Sequence, residues 1–427
     1  MSEEILREIS VRVLGGGREI GRSAIAVETD GRFVLLDYGV SFDERDIPIL
    51  PLTVPPSRVD SIVITHSHLD HTGAAPLMYI SAEPMSYTTS LTRDINRIML
   101  DDFYRLSSYY LPFEYREIER FLLHTRTASY DREIEISSWK VVLKNAGHIP
   151  GSAMVLLDNG VKRILYTGDI NTIETRLVSP ADLSNVDAEI LIIEGTYADT
   201  EHPERSEVER DLIDSIREVI DSGGTVLIPA FSLGRSQEIL MLLAEKLPHA
   251  DVKYDGMIRE ITSVFLEYEK YINKPELLKK AVEIFTEVSG WDMRRRVWRE
   301  SGVIVASAGM LKGGPALYYL KRLADKKNSA VFLVSFQGKN TPGRMLLEKG
   351  VFVDNGPRVV ARVQWFDFSS HAGASGLISV IKSIKSLEKV IIVHSEYSSA
   401  EVLRDRVRSE TGVDVEIPSI GDVIKIS

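Results

Sequence analysis

The stretch Thr65-His66-Ser67-His68-Leu69-Asp70-His71-Thr72-Gly73 gathers three of the chain's nine histidines around one aspartate. The apolar run Ser61–Thr65 ahead of it reads as a β-strand, and Gly73-Ala74-Ala75-Pro76 behind it reads as the opening of a helix. Alternation along extended backbone throws the imidazoles of His66 and His68 to one side, and the winding that follows brings Asp70 and His71 nearby. One loop can thereby serve two metal ions about 3.5–4 Å apart, the spacing used in two-metal hydrolysis. A lone histidine on a polar loop is usually a solvated side chain. Four donors in so compact an arrangement point to metal instead.

The composition around this segment sets limits. The chain has 427 residues, 44% hydrophobic and 26% charged, as in an ordinary globular protein of two or three domains or of one core carrying an insertion. No apolar run approaches the roughly 18 residues needed to span a bilayer. The charged opening MSEEILREIS has no apolar signal run, so a cytoplasmic protein without membrane attachment is expected. Cysteine is absent, which excludes disulfide scaffolds, thiolate zinc sites, iron–sulfur clusters and cysteine nucleophiles. Any metal must therefore be held by His, Asp and Glu, which favours Zn, Mn or Fe. A net charge of −11 argues against a general nucleic-acid coat protein, yet leaves room for a cleft whose positive charge comes from metal ions.

Three textures follow one another. Residues 1–200 read as short β-branched strands with few helices between them, which suggests layered sheets. Residues 201–350 alternate strand runs (Thr225–Ala230, Gly302–Ala306, Ala330–Ser335) with helical patterns (Ser236–Leu247, Ile258–Tyr271, Pro275–Thr286, Ala316–Ala324), the rhythm of a parallel sheet. Residues 351–427 return to strand texture. The expectation is one α/β domain interrupted by a Rossmann-like cassette.

The His-x-His-x-Asp-His segment resembles the signature of the metallo-β-lactamase superfamily, which implies an αββα sandwich with metals at the sheet edges. Asp37 matches the family's first motif, His148 in Asn145-Ala146-Gly147-His148 the third, and Asp169 in Tyr166-Thr167-Gly168-Asp169 the fourth. Glu194, His371 in Phe368-Ser369-Ser370-His371-Ala372-Gly373, and His394 look like the three further motifs of the β-CASP nucleases. Phrases such as Gly234-Arg235-Ser236-Gln237-Glu238 and Gly313-Gly314-Pro315 are similar to the cassette of the cleavage and polyadenylation specificity factor nuclease and its archaeal homologues, here of the type without KH domains. Ser395 stands where the family usually has glycine.

The resemblance implies two Zn2+ per chain, one held by His66, His68 and His148 and the other by Asp70, His71 and His394, with Asp169 bridging. Asp37 would orient a ligand histidine. Asp70, Asp169, Glu194 and His371 form the expected catalytic set, His371 donating a proton to the leaving 3′-oxygen with Glu194 holding it charged. The expected substrate is single-stranded RNA, cut to 5′-phosphate and 3′-hydroxyl ends, and a homodimer through Val413–Ser427 is expected. Candidate phosphate contacts are Arg235, Lys312, Lys339, Arg344, Ser369 and Ser370. The run Arg294-Arg295-Arg296-Val297-Trp298-Arg299 reads as a solvated helix face ahead of an RNA contact. Three rivals stand beside this reading: an RNase J-type 5′→3′ exonuclease, a thioester or lactam hydrolase, and an inactive scaffold subunit. Lactam chemistry has no need of the cassette, Glu194 or His371, and a scaffold has no need of every ligand position.

Overall fold

The computed structural model describes residues 8–426, so most of the charged opening stretch and Ser427 lie outside the described residues. The chain divides into two compact units, one made of residues 1–173, 180–201 and 371–427, the other of 174–179 and 202–370.

Two seven-stranded sheets build the first unit. One runs Val423–Ile426, Ile9–Gly15, Ala24–Thr29, Arg32–Leu36, Val59–Val63, Met85–Thr88, Thr125–Thr127, and the other Asp414–Glu416, Lys389–Val393, Ile190–Glu194, Arg163–Tyr166, Ala153–Asp158, Trp139–Asn145, Glu133–Ile136. Central strands such as Ile190–Glu194 and Lys389–Val393 read as nearly unbroken apolar runs because both of their faces are covered, whereas edge strands such as Glu133–Ile136 alternate. Ile190 and Ile192 join Val11, Val27, Val141 and Ile391 in the layer between the sheets. Leu191 and Ile193 turn the other way, onto the helices Ala374–Ser383 and Tyr397–Thr411. Phe33 and Leu35 likewise face the helices Ser90–Ser107 and Tyr115–Leu123 on the far side of the first sheet. The result is the expected helix–sheet–sheet–helix sandwich.

Several expectations need correction. The first 200 residues are richer in helix than their texture implied: Ser90–Ser107 spans 18 residues, capped by the Thr89 hydroxyl that accepts the Thr92 N–H. The helix beside the histidines starts at Leu69 and ends at Thr72, and only a 3₁₀ turn, Ala75–Ile80, follows Gly73. Val413–Ser427 is not one strand. Asp414–Glu416 edges the second sheet and Val423–Ile426 edges the first.

In the second unit a six-stranded sheet runs Thr286–Glu287, Val252–Asp255, Gly302–Ala306, Thr225–Pro229, Ala330–Leu333, Arg362–Trp365, with all of these pairings parallel. Val226 and Ile228 pack with the helices Arg205–Asp221 and Arg235–Lys246, while Leu227 packs with Gly314–Leu323 on the opposite face. Helices on both faces of a parallel sheet make this unit Rossmann-like. The second compact unit runs on to Ser370, because Arg362–Trp365 is hydrogen-bonded to Ala330–Leu333 and extends the inserted sheet.

Candidate metal centre

The chemistry-bearing side chains of the first unit cluster where strands end. Asp37 follows Arg32–Leu36, His66 follows Val59–Val63, His148 follows Trp139–Asn145, Asp169 follows Arg163–Tyr166, and His394 follows Lys389–Val393. Glu194 is the last residue of its own strand. Parallel pairing of Arg163–Tyr166, Ile190–Glu194 and Lys389–Val393 places those three ends side by side. Asp37 and His394 adopt left-handed backbone, with φ of 58° and 50°. L-residues hold such a conformation at a cost of about 1 kcal/mol.

Two glycines let the loops close. A Cβ on Gly39 would lie 1.8 Å from the Asp70 carbonyl oxygen, so only glycine permits the backbone of 37–40 to lie against 69–71. There Tyr38 N–H donates to His71 O (2.8 Å) and Val40 N–H to Leu69 O (3.0 Å). Gly168, at φ +52°, presses against Thr65, where a Cβ would come within 2.8 Å of the threonine side chain.

Side chains from these loops form two sets of donors. His66, His68, His148 and Asp169 present ligand atoms within 4.8 Å of one another, and so do Asp70, His71 and His394. Asp169 stands between them. Its Oδ2 lies 3.5 Å from His66 Nε2 and 3.6 Å from His148 Nε2, and its Oδ1 lies 3.2 Å from His71 Nε2 and 3.7 Å from His394 Nδ1. Each residue expected as a ligand thus falls in one set or between them. Glu194 also shares a 4.8 Å cluster with Asp169 and His394. Its oxygens are already engaged: Oε1 accepts the Ile170 N–H (2.9 Å) and faces His371 Nδ1 (2.8 Å), and Oε2 accepts the Thr196 N–H (3.1 Å).

The hydrogen bonding of the donor set fits cations. Thr65 Oγ1 donates to Asp37 Oδ2 (2.8 Å) and lies 3.0 Å from His66 Nδ1, which assigns the proton to that nitrogen and leaves a lone pair on Nε2. That Nε2 faces His68 Nδ1 at 3.1 Å, and His148 Nε2 faces the same nitrogen at 3.2 Å. Ring nitrogens so crowded have too few protons to satisfy one another, and a cation turns their converging lone pairs into ligands. Asp169 Oδ1 is buried without a hydrogen-bond partner, as expected of an oxygen reserved for metal. Nitrogen and carboxylate donors without thiolates suit zinc.

Charge follows the same division. Burial pushes His66 and His68 below the ordinary histidine range, assisted at both by the neighbouring His71. At His71 burial is outweighed by Asp169 and Asp37, which raise it well above that range. Burial likewise opposes the charge on Asp169, and His71, His394 and His371 overcome it. Asp169 and Asp37 together make the surroundings of His71 favourable to positive charge.

Asp37 sits behind His71, its Oδ2 2.7 Å from Nδ1. The same carboxylate receives the Thr65 N–H (2.7 Å) and the Tyr166 hydroxyl (2.9 Å). Tyr166, Thr65 and Thr196, whose hydroxyl lies 3.1 Å from His394 Nδ1, were not anticipated. Tyr166 reads as core within an apolar strand, and only its phenolic oxygen, which needs a partner when buried, hinted at more. His371 Nε2 is 4.0 Å from Asp169 Oδ2.

The candidate phosphate contacts belong to the second unit. Arg235 Nη2 donates to Ser370 Oγ (3.2 Å) and Arg205 Nη1 to Ser369 O (3.5 Å), so Arg235, Ser369 and Ser370 are brought together. Lys312 and Lys339 are exposed on loops. Arg344 instead pairs with Glu348 along its own helix (2.6 Å). The unit also holds a pair the sequence did not signal, His202 Nδ1 to Asp367 Oδ2 at 2.7 Å.

Three family models match the chain: a metallo-β-lactamase superfamily domain over residues 26–193, a β-CASP domain over 236–346, and a Zn-dependent metallo-hydrolase RNA specificity domain over 356–418. The chain is 49% identical over 418 residues to RNase aCSPSF2 of Saccharolobus solfataricus, spanning 97% of this chain and 85% of that protein. It is 35% identical over 426 residues to "Probable RNase MJ4" of Methanocaldococcus jannaschii, spanning 96% and 99%. A protein of unknown function from Enterococcus faecalis, known from its crystal structure, shares the fold at a TM-score of 0.60 and 15% identity, spanning 98% of this chain and 100% of that one.

Proposed function

The chain belongs to the β-CASP branch of the metallo-β-lactamase superfamily, and on that premise we propose that it is a zinc-dependent ribonuclease that hydrolyses phosphodiester bonds of single-stranded RNA, leaving 5′-phosphate and 3′-hydroxyl ends. The observation that carries this reading is the division of Asp169, whose two carboxylate oxygens each face a different set of donors. His66, His68 and His148 would hold one Zn2+, and Asp70, His71 and His394 the other, with Asp169 shared. When bound, the pair of cations supplies Lewis-acid polarisation of the phosphate and an activated attacking water.

The remaining work falls to protein groups. Asp37 fixes His71 by taking the hydrogen bond of its outer nitrogen, which keeps Nε2 aimed inward. His371 donates the proton that the departing 3′-oxygen needs, from Nε2. Glu194, bonded to Nδ1, keeps the ring charged and turned. Glu194 is engaged by two backbone amides as well, which favours orientation over ligation.

RNA as the substrate rests on the matched RNA specificity domain and on relatives bearing the name RNase. An acyl hydrolase would share the cage but gains nothing from the Glu194–His371 pair. Both endonucleolytic and 5′→3′ exonucleolytic cutting are compatible with one such centre. Among the described residues Val423–Ile426 pairs only with Ile9–Gly15, and the open edge of that strand is the proposed seam of a homodimer. No described helix is long and apolar enough to cross a membrane, and the proposed site of action is the cytoplasm.

The test is digestion of end-labelled RNA bearing a 5′-phosphate, a 5′-triphosphate or a closed circle, with Asp169→Ala as the inactive control. Metal-dependent cleavage of the circle establishes endonuclease action. Cleavage of the 5′-phosphate form alone assigns the RNase J-type alternative. No cleavage of any form overturns the ribonuclease reading.

A further inference from the structure

The arginine run from Arg294 to Arg299 is not simply a solvated face. Arg294 leaves the surface to bind the buried Asp255 through Nε (2.7 Å) and Nη2 (2.6 Å), while Tyr319 donates its hydroxyl to the same carboxylate (2.7 Å). This clamp ties the helix Trp291–Val297 to the helix Gly314–Leu323. Between them lies an open groove of about 520 Å³ lined by Trp291, Arg295, Trp298, Arg299, Tyr318 and Arg322. Every lining residue is an aromatic or an arginine. In a chain of net charge −11, a groove whose lining holds no carboxylate is a local reversal of sign, with the acid Asp292 on the exposed rim 3.5 Å from Arg295 Nη1.

The walls are already stiff. Trp291 and Tyr318 stand 5.5 Å apart at 74°, and Trp291 is 57% exposed. The Arg294 guanidinium, held by Asp255, lies 4.8 Å from the Trp291 ring centre and steadies it. Arg322 lies 3.4 Å over the centre of Tyr318 and donates Nη1 to the Tyr318 carbonyl (2.8 Å), which holds the guanidinium in place. Arg299 covers Trp298 at 5.0 Å. An exposed indole at Trp291 and half-buried rings at Tyr318 and Trp298, interleaved with guanidinium groups, make the kind of surface that unpaired bases and their phosphates bind.

We propose that this groove is a second contact for single-stranded RNA, in which unpaired bases stack on Trp291 and Tyr318 while adjoining phosphates meet Arg295, Arg299 and Arg322. It deepens the ribonuclease reading and rests on it for the identity of the ligand as RNA. A protein partner with an acidic surface would use the arginines but has little need of splayed aromatic faces. That difference decides between the two.

The test is fluorescence anisotropy of a labelled 20-nucleotide oligoadenylate on the full chain, in an Asp169→Asn background that preserves the probe. Trp291→Ala is expected to weaken binding about tenfold and Trp291→Tyr to restore most of it. Arg295→Ala is expected to lower the dependence of log affinity on log salt by about one. Unchanged affinity in Trp291→Ala overturns the proposal. So does an equal loss on duplex RNA, or competition by a polyglutamate 20-mer as effective as that by unlabelled oligoadenylate. Thermal melts of the variants check folding, and failure of the otherwise wild-type chain to cut RNA would count against the ribonuclease reading without touching this result.

Discussion

His371 Nδ1 lies 2.8 Å from Glu194 Oε1, and that oxygen is itself pinned by the Ile170 N–H at 2.9 Å. Burial disfavours charge on the ring, but Glu194, Asp169 and Asp70 outweigh it and raise His371 to about 9. Bound cations offset the share due to Asp169 and Asp70 and so bring the value down from about 9. Glu194 is the contribution that remains.

A raised pKa on a group acting as an acid holds activity below it and lets activity fall as pH rises through it. Glu194→Gln removes the charge, so the alkaline limb of the pH–rate profile should move to lower pH, with kcat reduced by about 10²-fold or more. Rates on labelled RNA from pH 6 to 10 check this. A reduced rate with an unmoved limb would show that Glu194 does not set the acid's pKa.

Asp37 Oδ2 meets His71 Nδ1 directly, at 2.7 Å, and reaches His66 of the other set only through the Thr65 hydroxyl. Asp37→Asn should weaken zinc binding by about 10- to 100-fold at the set containing His71, leaving the set of His66, His68 and His148 closer to normal. Competitive zinc titration against a chromogenic chelator should resolve one weakened and one retained site. Equal weakening at both would contradict the assignment.

Chelation should destabilise the first unit, since ligand-binding free energy contributes to folding, by about 2.7 kcal/mol at a hundredfold excess over Kd. The stripped protein should also respond to pH. The stability that the proton on His71 contributes is complete below the unfolded value near 6.5 and is lost as pH rises toward the elevated folded value. The Tm of the chelated protein should therefore decline above pH 6.5 more steeply than that of the zinc-loaded form, where no proton is needed. Parallel curves would argue against protonation of His71 in the stripped state.

Arg294 and Asp255 give a prediction for the second unit. Arg294→Ala strands a fully buried carboxylate and should cost about 3–5 kcal/mol of that unit's stability in urea denaturation. Arg294→Met with Asp255→Asn should recover part of the loss.

Most of the centre was legible because its chemistry is local. Four donors lie between residues 66 and 71, and His148, Asp169, Glu194 and His394 each stand at the end of an apolar run that could only be a strand. The αββα arrangement was legible through the resemblance, while the depth of the core, with Ile190 and Leu191 facing opposite apolar layers, appears in the sequence only as a run without alternation. The helix Ser90–Ser107 was missed because its buried positions (Leu91, Ile95, Leu100, Phe103) are separated by charged residues. That Arg362–Trp365 joins the inserted sheet was not legible, because a strand on a sheet edge looks the same whichever sheet it joins. Thr65, Tyr166 and Thr196 act through partners remote in sequence, and no spacing announces such contacts. The pairing of Arg294 with Asp255 was hidden for the same reason.

The most direct measurement is reconstitution of chelator-stripped protein with stepwise zinc while RNA cleavage is followed. If the two donor sets flanking Asp169 each hold a cation, activity should stay low up to one equivalent per chain and rise to a plateau at two. A plateau at one equivalent, or cleavage undiminished by stripping, would contradict a paired-cation centre.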